Sequence, residues 1–277
     1  MAATAPAKAS ASQEAETSPL KSFFAGIVII VLFFLSIAIY TLVLGNPGNF
    51  EGGDPNNHPI KGNYLGVVYK GGVIVPVLMT FFLMVITFSI ERFLTIGKAG
   101  GTGSIDSFVR KIKSLLNRND VTGALAACDA QKGSVGNVVK SVLTKYKDLD
   151  GDTSMDKEQK IASLSKELED STALELPMLE KNLTIVATLA SVATLVGLLG
   201  TVLGMIKAFS ALANAGAPDT AALSTGISEA LINTALGIGT SAFAIISYNF
   251  FTSKIDTLTY SIDEVGFSIM QNFGARN

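Results

Sequence analysis

"GISEALINTALGIG", residues 226–239, is apolar enough to lie in a lipid bilayer, yet it carries an acid, Glu229. A charge at mid-bilayer costs at least about 2.5–3.5 kcal/mol on insertion scales, so such a residue faces protein or water and is a functional candidate by default. Thr225, Glu229 and Asn233 fall at i, i+4 and i+8, and Gly237 and Ser241 continue the row. That spacing lays a polar and small stripe down one helix face. Asn233 is one turn from Glu229 and can bond its carboxyl, and Thr234 sits beside the stripe. Two readings are open: hydrogen-bonded glue between helices, or the wall of a solvated, ion-conducting interior.

The stretch belongs to the last of four apolar runs. Residues 1–20 are Ala, Ser, Thr and Pro with scattered charge and read as a disordered tail. Residues 22–45 are uncharged and long enough to span the roughly 30 Å hydrocarbon core. The run is too long for a signal peptide, and the "NPGNF" after it is no small-residue cleavage site, so it reads as an uncleaved anchor. Residues 46–71 have the Gly, Pro and Asn of a loop, and 72–96 form a second span with Pro76 in its first turn. Residues 97–177 are a polar block of amphipathic helices, with Ile105, Phe108, Val109, Ile112, Leu115 and Leu116 at helical spacing. Residues 178–213 and 221–252 hold the third and fourth spans, joined by a short turn at 214–220. Both exceed the about 20 residues a span needs and should project beyond the bilayer. Residues 253–277 keep a helical period. The fold expected is an all-α integral membrane protein: four transmembrane helices with a helical cytoplasmic domain.

Composition agrees. Of 277 residues, 48% are hydrophobic and 16% charged, against about 25% charged in soluble domains. The 91–181 block holds 14 of the 21 Lys and Arg, which makes it and both termini cytoplasmic and the two short loops external. It also holds 14 acids, so no nucleic-acid patch is expected. One Cys, Cys128, and one His, His58 in a "DPNNHP" loop, make no zinc site. No Ser-His-Asp set, phosphate loop or CxxC is present, so neither an enzyme, a metal nor a cofactor is expected. "DLDGDTSMDKE" superficially matches a calcium loop but lacks its ligand spacing; a turn and N-cap fit better.

The third span reads "NLTIVATLASVATLVGLLGTVLGMIKAF". Gly197, Gly200 and Gly204 have close-packing spacing, and Gly237 on the fourth span is their counterpart in size. Thr194 and Thr201 share a face, although a threonine in a span often bonds only its own helix carbonyl. Lys207, near the outer end, has a stem long enough to snorkel.

"LVGLLGTVLGMIKAF", then a short loop and "GISEALINTALGI" ending in "SYNFF", resembles the ExbB/TolQ/MotA proton-channel family, on its ExbB/TolQ branch. The resemblance covers roughly residues 72–255 and is strongest over 183–251. It implies a homopentamer in the bacterial inner membrane around a single-span partner of ExbD or TolR type, whose intramembrane Asp binds the proton. It implies that Thr201 and Thr234 line the pore and that Glu229 is the family's intramembrane glutamate; Asn233 and Thr194 join the expected ion pathway by the helix faces they share with these residues. The family often has proline where this chain has Thr194 and Phe243, and the span at 22–45 is additional to the usual three. The function implied is a pore-wall subunit of a motor driven by the proton-motive force. Its clients would be envelope proteins such as a TonB-like one, with Tol-type envelope maintenance or a motility stator as alternatives. A proton crossing the membrane releases about 2.3 kcal/mol per 100 mV, and harvesting it takes a group that binds a proton inside the bilayer. A structural scaffold stays open. A secondary transporter would want an internal repeat, and none is evident.

Overall fold

The computed structural model describes residues 19–213 and 220–276, with side chains from Gly26 to Leu212 and from Thr220 onward. The turn at 214–219 and all of the 1–20 tail before Pro19 lie outside the described residues. Among those described, the chain is helical without a strand, and four of its helices are long and apolar enough to cross a membrane. It is an all-α membrane protein.

Helix α1 (Pro19–Ala38) runs on through a wider π-helical stretch to Leu44. The segment after it, rich in turn residues, is not a slack loop. Asn49 is buried and donates to the carbonyls of Val43 and Leu44 at 2.7 and 2.9 Å, filling the acceptors that a helix end leaves open. Phe50 is buried with it, and Lys70 ties the far side by donating to Pro55 and Asn56. A short helix α2 (Tyr64–Tyr69) closes the cap. Tyr69 stacks on Tyr40 with ring centroids 4.7 Å apart, and the Tyr40 hydroxyl donates to its carbonyl. His58 is exposed in this cap.

Helix α3 (Val75–Ala99) starts with Pro76 in its first turn, where a missing N–H costs least. The polar block then folds as α4 (Ile105–Asn117), α5 (Val121–Gln131), α6 (Gly133–Asp150) and α7 (Lys157–Glu180). Asp156 opens α7 with a capping box to Gln159, and Asp152 accepts from the Ser154 N–H, so the calcium-like stretch is a turn and a cap.

The third span starts later than the apolar pattern alone places it. Residues 178–180 finish α7, and Asn182 adopts a left-handed conformation (φ 66°), so α8 runs from Leu183 to Ala213. Asparagine tolerates that conformation better than most residues. Arg92 reinforces the break. Only 2% exposed, it donates to the carbonyls of Met178 and Leu179 at 3.0 Å and grips the Glu91 carboxylate with its other nitrogens. A guanidinium at a helix C-terminus meets both the open carbonyls and the negative end of the dipole.

Helix α9 (Thr220–Arg276) is one unbroken helix of 57 residues. The sequence divides it near 252, where the apolar run stops, but the helical period carries through. Its distal half is the spine of the polar block: Ile262, Val265, Ile269 and Phe273 pack with Ile112, Val142, Tyr146 and Leu164. Cys128 lies in the same core, and burial pushes its thiol up to about 12, with Asp129 beside it adding to the effect. The thiolate is the reactive form. Maleimide at pH 8 is therefore expected to leave Cys128 unlabelled in the folded protein and to label it once denatured. The contribution of the neutral thiol to stability is whole below its ordinary value of 9.0 and lost as pH rises towards about 12.

Candidate functional site

Helices α8 and α9 form an antiparallel hairpin whose seam is made of small residues. A Cβ on Gly197 would lie 2.9 Å from the Asn233 carbonyl oxygen. One on Gly204 would lie 2.8 Å from the Ala230 nitrogen, and one on Gly237 would lie 2.6 Å from the Ala193 carbonyl oxygen. A Cβ on Gly200 would lie 2.5 Å from the Asn233 Cβ. The approaches at Gly197, Gly204 and Gly237 are backbone to backbone, and any larger side chain would block them.

The stripe read from the sequence divides over this seam. Asn233 is fully buried at its centre but does not turn to Glu229; its amide donates to the Gly71 carbonyl at 2.9 Å. Further along, Ser241 donates to the Ala190 carbonyl, and Thr225 only to its own helix at Ala221. These contacts are glue within one chain. Glu229 and Thr234, five residues apart, point about 140° apart around the helix and leave the seam on opposite flanks.

On one flank the Thr201 and Thr234 hydroxyls bond each other across the hairpin. Each also reaches its own helix, Thr201 at Gly197 and Thr234 at Ala230. Thr201 opens into an exposed groove on α8 with Val202, Met205 and Phe209. Thr194 is exposed two turns away on the same side.

On the other flank Glu229 is paired. Lys207 places its ammonium 2.8 and 2.9 Å from the two carboxylate oxygens. The snorkelling expected of Lys207 gives way to this ion pair. Sequence reading misses the pair because 22 positions and a turn separate its members. The one available signal is that these are the only charges in the apolar parts of α8 and α9. The carboxylate rests on the backbone of Gly72, where a Cβ would come within 2.2 Å of it and φ is +77°. Gly72 is therefore a positioning residue that its place at the start of the second apolar run does not announce.

Residues 132–264, which include both pairs, match the family model described as the MotA/TolQ/ExbB proton channel family. The chain is similar to this family over just under half of its length. It is 25% identical over 155 residues to the Tol-Pal system protein TolQ of Pseudomonas aeruginosa, covering 56% of this chain and 67% of that one. It is 42% identical over 94 residues to the biopolymer transport protein ExbB of Helicobacter pylori, covering 34% and 64%. It is 43% identical over 77 residues to ExbB of Aquifex aeolicus, covering 28% and 52%. The matches thus span about half to two thirds of these relatives. The relatives it matches are bacterial, and four of its helices are long and apolar enough to cross a membrane.

Proposed function

We propose that this chain is the pore-wall subunit of an inner-membrane motor driven by the proton-motive force. Several copies would form a ring, a pentamer by resemblance, around a single-span partner that carries an intramembrane acid. The polar block, both termini and the distal half of α9 would be cytoplasmic. The observation that carries this reading is the Thr201–Thr234 hydroxyl contact, held on an open flank of a hairpin too tightly packed to deform. Two hydroxyls there can pass hydrogen bonds to water or to a partner's carboxyl. Thr194 extends the same flank. Glu229, already held by Lys207, shapes charge and packing rather than carrying the proton through the chain alone.

ExbB-like energisation of outer-membrane transport through a TonB-like protein is the first client reading. A TolQ-like role in envelope maintenance is the second client reading: one TolQ matches over 155 residues at 25% identity and another over 84 at 37%. The test is proton flux in cells co-expressing the chain with a single-span membrane protein that carries one intramembrane Asp, read with a cytoplasmic pH-sensitive fluorophore after an acid pulse. Thr201→Val and Thr234→Val are each expected to cut flux at least about tenfold, equivalent to about 1.4 kcal/mol of barrier, with ring size on native gels unchanged. Wild-type flux in both variants and in the double variant overturns the pore-wall role.

A further inference from the structure

Where α3 and α9 leave the apolar spans and enter the polar block, a cleft of about 320 Å³ opens between them. Phe93 and Ile96 of α3 face Phe250, Phe251 and Leu258 of α9, and Ile105 at the start of α4 completes the lining. Phe93 and Phe250 are 63% and 46% exposed. Of the side chains that line the cleft, Lys254 alone is charged. No carboxylate pairs with it among the described residues. Its ammonium lies 5.8 Å from the centroid of the Phe250 ring, which holds it at the mouth of the cleft. Lys254 is the first charge on α9 after Glu229, and the helix between them is about 37 Å long, against about 30 Å for the hydrocarbon core. The aromatic walls thus fall in the last turns of the hydrocarbon, and the ammonium falls at the level of the headgroups. Gly97, in the last turn of α3, lines the cleft without a side chain, and a Cβ there would meet nothing within 4 Å. Packing inside the chain does not demand a glycine at 97; keeping the cleft open does.

We propose that this cleft binds one anionic phospholipid from the leaflet on the side of the polar block, with an acyl chain between Phe93 and Phe250 and its phosphate on Lys254. The chemistry of the lining selects both halves of that ligand. The phenylalanines take an apolar tail, and an ammonium that no acid balances takes an anionic head. A soluble anion lacks the tail, and a zwitterionic lipid carries a cation of its own to the same place. Lysine offers three N–H donors, enough for a phosphate, and Thr257 adds none because its hydroxyl donates to the Ser253 carbonyl. The cleft shares no residue with the threonine groove of α8, so the site does not rest on the motor reading. A lipid seated there touches α3, the start of α4 and α9 at once, and so braces the junction between span and domain.

The chain has no tryptophan, so Phe93→Trp places a single indole reporter at the cleft. The full chain carrying it is reconstituted in phosphatidylcholine vesicles with a rising fraction of acyl-brominated lipid, either phosphatidylglycerol or phosphatidylcholine, and quenching of the indole is read. Half-maximal quenching is expected at a fraction about fivefold lower for the phosphatidylglycerol, the contribution of one lysine at an anionic surface. Lys254→Gln should remove that preference. Lys98→Gln should keep it, because Lys98 lies one residue beyond Gly97 but faces a different pocket, against α6 and α7. Gly97→Leu should remove it too, by filling the cleft. Positions 97 and 254 are both exposed, so the variants should melt with the parent. If Gly97→Leu melts lower, Lys254→Gln and Lys98→Gln decide. Equal quenching by the two lipids overturns the proposal. So does a preference that survives Lys254→Gln, one that survives in a Gly97→Leu chain of parental melting, or one that Lys98→Gln also abolishes, which is the mark of general attraction to a charged surface. Absence of quenching by either lipid, the result if a second copy of the chain covers the cleft, overturns it as well.

Discussion

Gly237→Leu is expected to separate α8 from α9. The space a side chain would need is occupied by the Ala193 carbonyl oxygen at 2.6 Å and the Gly197 Cα at 2.8 Å. Both are backbone atoms of the facing helix, so no rotamer change can relieve the clash. Overpacking of side chains costs about 1–3 kcal/mol, and forcing two backbones apart lies at or beyond the top of that range. The consequence is functional as well, because both pairs flank the same seam. The Thr201–Thr234 contact and the Lys207–Glu229 pair part together. The measurement is thermal unfolding of the detergent-solubilised chain, with its migration on native gels. Gly239→Leu is the control: its Cβ would meet nothing within 4 Å, and unfolding should stay near wild type. Equal melting of the two variants would refute the packed seam.

Arg92→Ala should destabilise the junction between span and domain by about 3–5 kcal/mol, the usual cost of stripping one partner from a buried ion pair. The alanine leaves the Met178 and Leu179 carbonyls without their guanidinium donor, and Glu91 keeps only Asn182 and Thr95. For a chain of this size the loss corresponds to a melting shift of about 10 °C. Arg92→Lys should recover only part of it, since one ammonium lacks the planar fork that serves carboxylate and carbonyls at once. A melting curve unchanged by Arg92→Ala would show that the α7–α8 break holds without this clamp.

Much of this architecture is legible because apolar runs and helical periods are local signals. The four spans, the amphipathic helices of the polar block and the glycines of α8 need only neighbours a few residues away. Partnerships across helices are not local. Asn233 is one turn from Glu229, yet it spends its amide on Gly71, 162 positions away, because the start of α3 lies against the seam. Lys207 looks like an end-of-span lysine until α9 brings a carboxylate to it. The break at Asn182 is hidden because 178–180 are as compatible with the apolar run that follows as with the helix that precedes. The loop chemistry of 46–71 is real at each turn, but its order comes from Asn49, Tyr40 and Lys70 reaching across it.

The unbroken length of α9 has a mechanical consequence. Its 57 residues make a rod of about 85 Å, nearly three times the thickness of the hydrocarbon core. Glu229 lies near one end, and Phe273, locked in the domain core, lies about 66 Å further on. Each degree by which the rod tilts about the level of Glu229 swings Phe273 through about 1 Å. A tilt of a few degrees at that level would carry the far end through several ångströms, so the length of α9 gives the chain the geometry of a lever arm.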